Sequence, residues 1–153
     1  MAAGQLPRIG FLAAQYAAYH VDRCSALARR FAGRAEVLAV EVASTSKTYA
    51  WKPSGEVAGA TKVTLFPGQG FEQIGWFKRW RAQFRVLRTC RMVLIGIGYS
   101  QPDIILLAWT LRVCGVRVIM LTESKFDDHP RHLLRETLKR ALLAGFSGAI
   151  VGG

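Results

Sequence analysis

Paired cysteines, long apolar runs and acidic side chains are all scarce in this 153-residue sequence. The three cysteines, Cys24, Cys90 and Cys114, lie far apart and form no CxxC pair, so neither a disulfide framework nor a zinc site is indicated. No apolar run approaches the ~18 residues that a membrane-spanning helix needs, and the first residues lack the basic start and apolar core of a signal peptide. We therefore expect a cytoplasmic protein whose cysteines are small buried side chains.

The motifs of several enzyme classes are also missing. There is no GxSxG nucleophile elbow, no P-loop and no RNP motif, so nothing favours a hydrolase, a nucleoside triphosphatase or an RNA-binding domain of that type. Gly10 is isolated within the first apolar segment, and without a GxGxxG motif a nicotinamide or flavin cofactor is not expected. The acids and histidines of 122–132 do not follow metal-ligand spacing. We expect neither a bound cofactor nor a metal.

Acidic residues number 10 against 21 lysines and arginines, which gives a formal net charge of +11. This excess predicts attraction to phosphates, nucleic acid or anionic lipid without choosing among them. The excess is greatest between 76 and 91, where six cations and four aromatic side chains occur with no acidic residue.

This basic segment has the spacing of a helix and permits three interpretations. It can lie on an anionic membrane, it can bind nucleic acid, or it can be an ordinary surface helix that buries its aromatic stripe on the sheet. The residues that we predict to contact a membrane or another polyanion are Trp76, Lys78, Arg79, Arg81, Arg85 and Arg88.

Strand-like and helix-like segments alternate along the chain. Strands are predicted at 8–14, 35–42, 62–66, 103–108, 116–121 and 147–151, and helices at 20–31, 75–95, 109–114 and 131–144. Because the strands are apolar throughout and alternate with helices, they predict a mainly parallel sheet covered on both faces. The expected fold is a single Rossmann-like three-layer α/β/α domain over residues 1–153.

In such a sheet, ligands bind beyond the carboxyl ends of the strands. The loops to consider are therefore 15–20, 43–51, the neighbourhood of Trp109, and 122–129. The first of these loops carries aromatic and imidazole groups that can stack on a sugar ring and donate hydrogen bonds to it, although the same residues can also simply begin the helix that follows.

Five segments, in this order, are similar to the amino-terminal half of glycosyltransferase family 4 proteins. They are RIGFL at 8–12, Tyr19-His20 with Arg23, PDIILLAW at 102–109, TESKFDD at 122–128, and GAIVGG at 148–153. The resemblance spans nearly the whole chain. It implies the first half of a GT-B fold, in which two Rossmann-like domains face each other across a cleft.

The resemblance implies transfer of a glycosyl group from a nucleoside-diphosphate sugar to an acceptor hydroxyl, with retention at the anomeric carbon and without an obligatory metal. The first domain receives the acceptor, which is a lipid-linked sugar or a glycan, and the second binds the donor. The resemblance stops at Gly153, so the donor domain is an expected further partner. The nucleoside-diphosphate sugar is then a co-substrate of the complete enzyme only, and we expect this half to be inactive alone.

The residues that the resemblance and the strand-end positions together single out for acceptor recognition or the cleft are Gln15, Tyr16, His20, Arg23, Trp109, Glu123, Ser124 and Lys125. No catalytic residue is assigned. The basic helix would hold the domain at the inner face of a membrane, as in relatives that act on lipid-linked acceptors. The alternative is a non-enzymatic basic Rossmann-like module that binds an anionic membrane surface or, less favoured, nucleic acid.

Overall fold

Six strands form one sheet in which every pairing is parallel. A computed structural model of the chain describes residues 6–47, 52, 54–122, 137 and 140–151. The strands are β1 Arg8–Ala13, β2 Glu36–Thr45, β3 Ala60–Gly70, β4 Met92–Ile95, β5 Arg117–Thr122 and β6 Gly148–Val151. The domain is thus the expected Rossmann-like α/β fold.

Three α-helices are described in full, α1 Ala18–Arg30, α2 Trp76–Leu87 and α3 Pro102–Val113, and a short 3₁₀ helix spans Phe71–Gln73. Residues 137 and 140–143 are also helical, which agrees with the predicted helix where it is described. Pro102 at the first helical position favours the start of α3, and Gly115, with a φ of 79°, follows its end in the left-handed conformation that glycine adopts easily.

The core has one apolar cluster on each face of the sheet. On one face, Phe11 and Ala39 pack with Cys24 and Ala28 of α1. On the other, residues of β1, β2 and β4 pack with Leu87 of α2 and with buried side chains of α3. Successive residues of a buried strand point to opposite faces, so an apolar strand supplies both clusters.

The strand order is β3-β2-β1-β4-β5-β6, so the direction of winding reverses between β1 and β4. This is the order of the dinucleotide-binding Rossmann folds, in which ligands bind in the crevice outside the carboxyl ends of the two central strands. We refer to the region beyond the ends of β1 and β4 as the central crevice.

Two predicted elements are wrong. Residues 103–108, predicted as a strand, belong to α3 together with the short helix predicted at 109–114. Their continuous apolar run arises because α3 packs against both the sheet and α2, and a short apolar run cannot distinguish a buried helix from a buried strand. The helix predicted at 75–95 ends at Leu87, and β4 follows it at Met92–Ile95.

Candidate functional site

The central crevice is bounded by two loops, residues 14–17 after β1 and residues 96–101 after β4. The second loop starts in direct contact with β1, because the Gly96 N–H donates to the Leu12 carbonyl at 2.8 Å. A Cβ at position 96 would lie 3.4 Å from that carbonyl oxygen, an ordinary van der Waals distance, so the two segments touch without requiring glycine there. The sequence pattern did not predict this loop, because β4 lies within the segment 75–95 that was predicted as a helix.

The first loop is filled by its own side chains. Gln15, Tyr16 and His20 are 2%, 0% and 6% exposed. The Tyr16 hydroxyl donates to the Phe11 carbonyl at 2.8 Å, and burial raises the pKa of this phenol far above its usual value, which keeps the donor protonated. His20 Nδ1 accepts the Ala17 N–H at 3.1 Å. Three of the residues predicted to recognise an acceptor therefore shape this loop.

A buried carboxylate that sequence analysis did not select lies beneath the same loop. Glu41 of β2 is 2% exposed, and its Oε2 accepts the Tyr16 N–H at 2.8 Å. Its Oε1 accepts from the Thr64 hydroxyl at 2.9 Å and lies 3.4 Å from Lys62 Nζ. An acid within an apolar strand is the signal that could have revealed it, because a buried charge needs partners.

Tyr19 and Arg23 remain accessible on the first helix. Tyr19 is 40% exposed, and its ring centroid lies 3.9 Å from that of His20, which is close to stacking. The Arg23 guanidinium lies 5.1 Å from the Tyr19 ring centroid. The structure therefore places an exposed aromatic ring with an adjacent cation at the start of α1, directly after the first loop.

The second loop is held by a buried ion pair. Arg79 Nη2 lies 2.7 Å from Asp103 Oδ1, and Arg79 Nε donates to Asp103 Oδ2 at 3.1 Å. Its remaining donors bond Gln101 Oε1 and the carbonyls of Phe71 and Ile74. All five guanidinium donors are thereby used. Asp103 also accepts from Gln83 Nε2, so α2 fixes the start of α3 and with it the end of the loop.

This burial corrects the prediction for Arg79, which is 6% exposed and cannot contact a membrane surface. The helical spacing in α2 could not reveal that Arg79 is buried, because its partner Asp103 lies 24 residues away in the sequence. The other residues predicted for that contact are exposed: Trp76, Lys78, Arg81, Arg85 and Arg88.

Trp109 also differs from its prediction. The residue is 41% exposed but lies in the second half of α3, about 10 Å along the helix axis from Pro102. Because α3 starts at the second loop and runs back from the carboxyl ends of the strands, Trp109 lies about two helical turns away from the central crevice. Glu123, Ser124 and Lys125 lie outside the described residues.

An open cavity of about 420 Å³, most of whose lining residues are exposed, lies at the carboxyl ends of β2 and β3. We call it the β2–β3 pocket; it is lined by 45–47, Gly68, Gly70, Glu72 and Gln73. Its hydroxyl, amide and carboxylate groups come from the predicted strand-end loop 43–51 and from the segment after β3, which was not predicted to contribute to a site. Within the described residues, no group of three potential metal ligands is found.

A search of protein-family models and of curated protein sequences finds no match to this chain. No helix in the described part of the chain is both long and apolar enough to cross a membrane.

Proposed function

We propose that this chain is the acceptor-side Rossmann-like domain of a retaining GT-B glycosyltransferase. The observation that carries the proposal is the central crevice at the reversal of strand order, whose first loop is filled by Tyr16 and bordered by the exposed Tyr19 ring. The type of reaction is proposed from the resemblance to family 4 glycosyltransferases, and the central crevice is the proposed binding site for the acceptor.

The first loop is unsuited to a dinucleotide. Dinucleotide-binding folds place glycines after the first strand so that the backbone can approach a pyrophosphate at the start of the next helix. Here Gln15, Tyr16 and Ala17 occupy that turn, and each is buried. Because the turn after β1 has no room for a pyrophosphate, this domain fits the role of binding the acceptor, while the donor nucleotide binds to the domain on the other side of the cleft.

In the proposed reaction, the bond between the anomeric carbon and the donor diphosphate breaks, and a bond to the acceptor oxygen forms on the same face of the sugar. The proton of the acceptor hydroxyl passes to an oxygen of the departing nucleoside diphosphate. This chain binds and orients the acceptor, which lowers the entropic part of the barrier. Stabilisation of the leaving diphosphate belongs to a donor domain, supplied by further sequence or by another polypeptide.

The test is a transfer assay. The coding sequence beyond Gly153 is first examined for a second Rossmann-like domain. That domain is produced together with this one, and the two are incubated with labelled nucleoside-diphosphate sugars and with membranes or glycans as acceptors. We expect transfer of the labelled sugar to require both domains. We expect Gly98→Trp to abolish it by filling the central crevice, and Tyr19→Ala to lower kcat/KM about tenfold, or about 1.4 kcal/mol. Arg112→Ala, on the exposed surface of α3, is the control.

The enzymatic proposal fails if no donor domain restores transfer, or if Gly98→Trp leaves transfer unchanged in a folded protein. Gly98 is suited to this substitution because a Cβ at this position would have Ser100 Oγ as its nearest atom, 3.7 Å away.

A second candidate function is contact with an anionic membrane surface, and α2 favours it. Trp76 and Phe77 are 48% and 55% exposed at the start of this helix. Exposed aromatic rings beside cations suit the boundary between lipid headgroups and acyl chains. Nucleic acid is less favoured, because Trp80 and Phe84 stack on each other and are half-buried, which makes these two rings less accessible to bases than Trp76 and Phe77 are.

A further inference from the structure

We propose that the β2–β3 pocket is a carbohydrate subsite that binds a neutral polyhydroxylated ring. The claim that the bound ring is part of the acceptor rests on the proposed function. The claim that the pocket binds a sugar can be tested on the chain alone. Its volume of about 420 Å³ falls within the range of ~300–1,000 Å³ found for small-molecule sites.

The location of the pocket fits a ligand that extends toward the central crevice. It lies at the carboxyl ends of β2 and β3, and β2 is adjacent to β1. In parallel α/β sheets this edge is the one at which ligands bind. A ring in the pocket would therefore share one edge of the sheet with the reacting part of the same molecule.

The pocket walls are held by hydrogen bonds across two segments. Glu72 Oε1 accepts from the Ser46 hydroxyl at 2.7 Å, and Glu72 Oε2 accepts the Lys47 N–H at 3.0 Å. On the other side, Gln73 Oε1 accepts the Gly70 N–H at 3.1 Å. These bonds orient a carboxylate and an amide before any ligand arrives, which reduces the ordering that binding requires.

The chemistry of the lining suits hydroxyl groups. Sugar hydroxyls both donate and accept, and the pocket offers both capacities: the Thr45 hydroxyl donates its own proton to the Gln69 carbonyl, so its oxygen can accept, and the Gln73 side chain has two N–H donors. Within the described residues, no group accepts a hydrogen bond from Gln73 Nε2.

Charged ligands fit this lining less well. A phosphate would face the Glu72 carboxylate, and like charges in contact are costly. Calcium or magnesium needs six or more oxygen ligands and zinc favours cysteine and histidine, whereas the pocket contains a single carboxylate and a lysine. A neutral ring meets neither obstacle.

Gly70 supplies the space. Its φ of −86° and ψ of 141° are available to any residue, so the backbone does not demand glycine there. A Cβ at this position would lie 3.3 Å from Gln73 Oε1 and 3.6 Å from the Thr45 hydroxyl. A larger side chain at position 70 would therefore project between the pocket's polar groups and occupy its volume.

The experiment is a titration of the ¹⁵N-labelled chain with the methyl glycosides of glucose, mannose, galactose and N-acetylglucosamine, followed by amide chemical shifts. We expect at least one glycoside to shift the amides of 45–47 and 68–73. We expect Gly70→Leu to remove these shifts and Glu72→Gln to weaken binding about tenfold, a change of about 1.4 kcal/mol. Gly55→Leu, where a Cβ would meet no atom within 4 Å, is the matched control.

A second arm separates a soluble glycan from a glycolipid as the source of the ring. Neutral phosphatidylcholine vesicles with and without a glucosyl lipid are sedimented with the chain and with Gly70→Leu. Binding that needs the glucosyl lipid and is lost in Gly70→Leu supports the subsite and identifies a membrane-borne sugar, whereas shifts with soluble glycosides alone support it and identify a soluble one.

The inference is overturned if none of the glycosides or the glucosyl lipid binds, or if Gly55→Leu weakens binding as much as Gly70→Leu. Its failure is separable from that of the proposed function. Transfer by the two-domain enzyme that is unaffected by Gly70→Leu would refute the role of the subsite in acceptor binding and leave the glycosyltransferase standing. Glycoside binding at 68–73 without transfer by any donor domain would refute the glycosyltransferase alone.

Discussion

At the scale of single residues, the Arg79–Asp103 pair is the feature with the largest expected effect. Both side chains are buried, and the pair connects α2, the turn before it and the start of α3. Removing one member of a buried ion pair leaves a desolvated charge, which typically destabilises a protein by about 3–5 kcal/mol. We predict a loss of this size for Arg79→Met, measured by urea unfolding.

Two further variants make this result specific. Arg81→Met, on the exposed side of α2, should change stability by no more than about 0.5 kcal/mol. The double variant Arg79→Met with Asp103→Leu should recover part of the loss, because it removes both charges. If Arg79→Met were no more destabilising than Arg81→Met, the ion pair would have no structural role.

The same pair shows the limit of sequence reasoning at this scale. Arg79 follows the same helical pattern as its exposed neighbours, and nothing local distinguishes it from Arg81. Its burial depends on Asp103, which was assigned to a strand because α3 is apolar on more than one side. A partner 24 residues away becomes predictable only when both helices are placed.

At the scale of elements, most of the sheet was predictable and its centre was not. The strands β1, β2, β3, β5 and β6 follow from apolar runs bounded by polar or glycine-containing segments. Strand β4 has four residues, and the helical spacing of α2 continues by coincidence to Arg91. Because β4 was missed, so was the loop at 96–101, which forms half of the central crevice.

Helix α2 carries the prediction that belongs to this scale. If its exposed start lies on an anionic surface, the chain should co-sediment with vesicles that contain phosphatidylserine and only weakly with pure phosphatidylcholine. Replacing Trp76 and Phe77 together by serine should reduce this binding, because the rings are 48% and 55% exposed and can bury in the lipid. Added salt should weaken the electrostatic part.

The matched control is Trp109→Ser, which removes an aromatic ring of similar exposure, 41%, from α3. It should leave vesicle binding unchanged. Equal losses from both variants would indicate a general effect of exposed apolar surface, and the membrane function of α2 would then be rejected.

At the scale of the whole molecule, the fold class was predictable because alternating apolar strands and helices allow few other architectures. The candidate binding sites were harder to predict than the fold. Tyr16 and His20 were selected for chemistry that suits a ligand, but the same groups suit the interior of a loop, and only burial distinguishes the two. The β2–β3 pocket depends on β2 and the turn after β3 meeting at one edge, which no local pattern reveals.

The whole molecule should also lose stability in alkaline solution. Burial raises the pKa of the Cys90 thiol from 9.0 to about 11, and burial also raises the pKa values of Cys24 and Tyr16. A group whose pKa is higher in the folded state favours folding while it is protonated. This contribution is complete below the unfolded pKa, near 9, and is lost as pH rises through the folded pKa.

The free energy of unfolding, measured by urea titration at a series of pH values, should therefore fall between about pH 9 and pH 11. Cys90→Ala tests whether the Cys90 thiol causes part of this fall. The quantity to compare is how steeply the free energy of unfolding falls with pH, because the cavity left by the substitution lowers stability at every pH. Since one pKa unit corresponds to about 1.36 kcal/mol, the fall to pH 11 should be smaller by about 2 kcal/mol in Cys90→Ala. Cys114→Ala, at an exposed position, should retain the full slope, and equal slopes in all three proteins would show that Cys90 does not couple to folding.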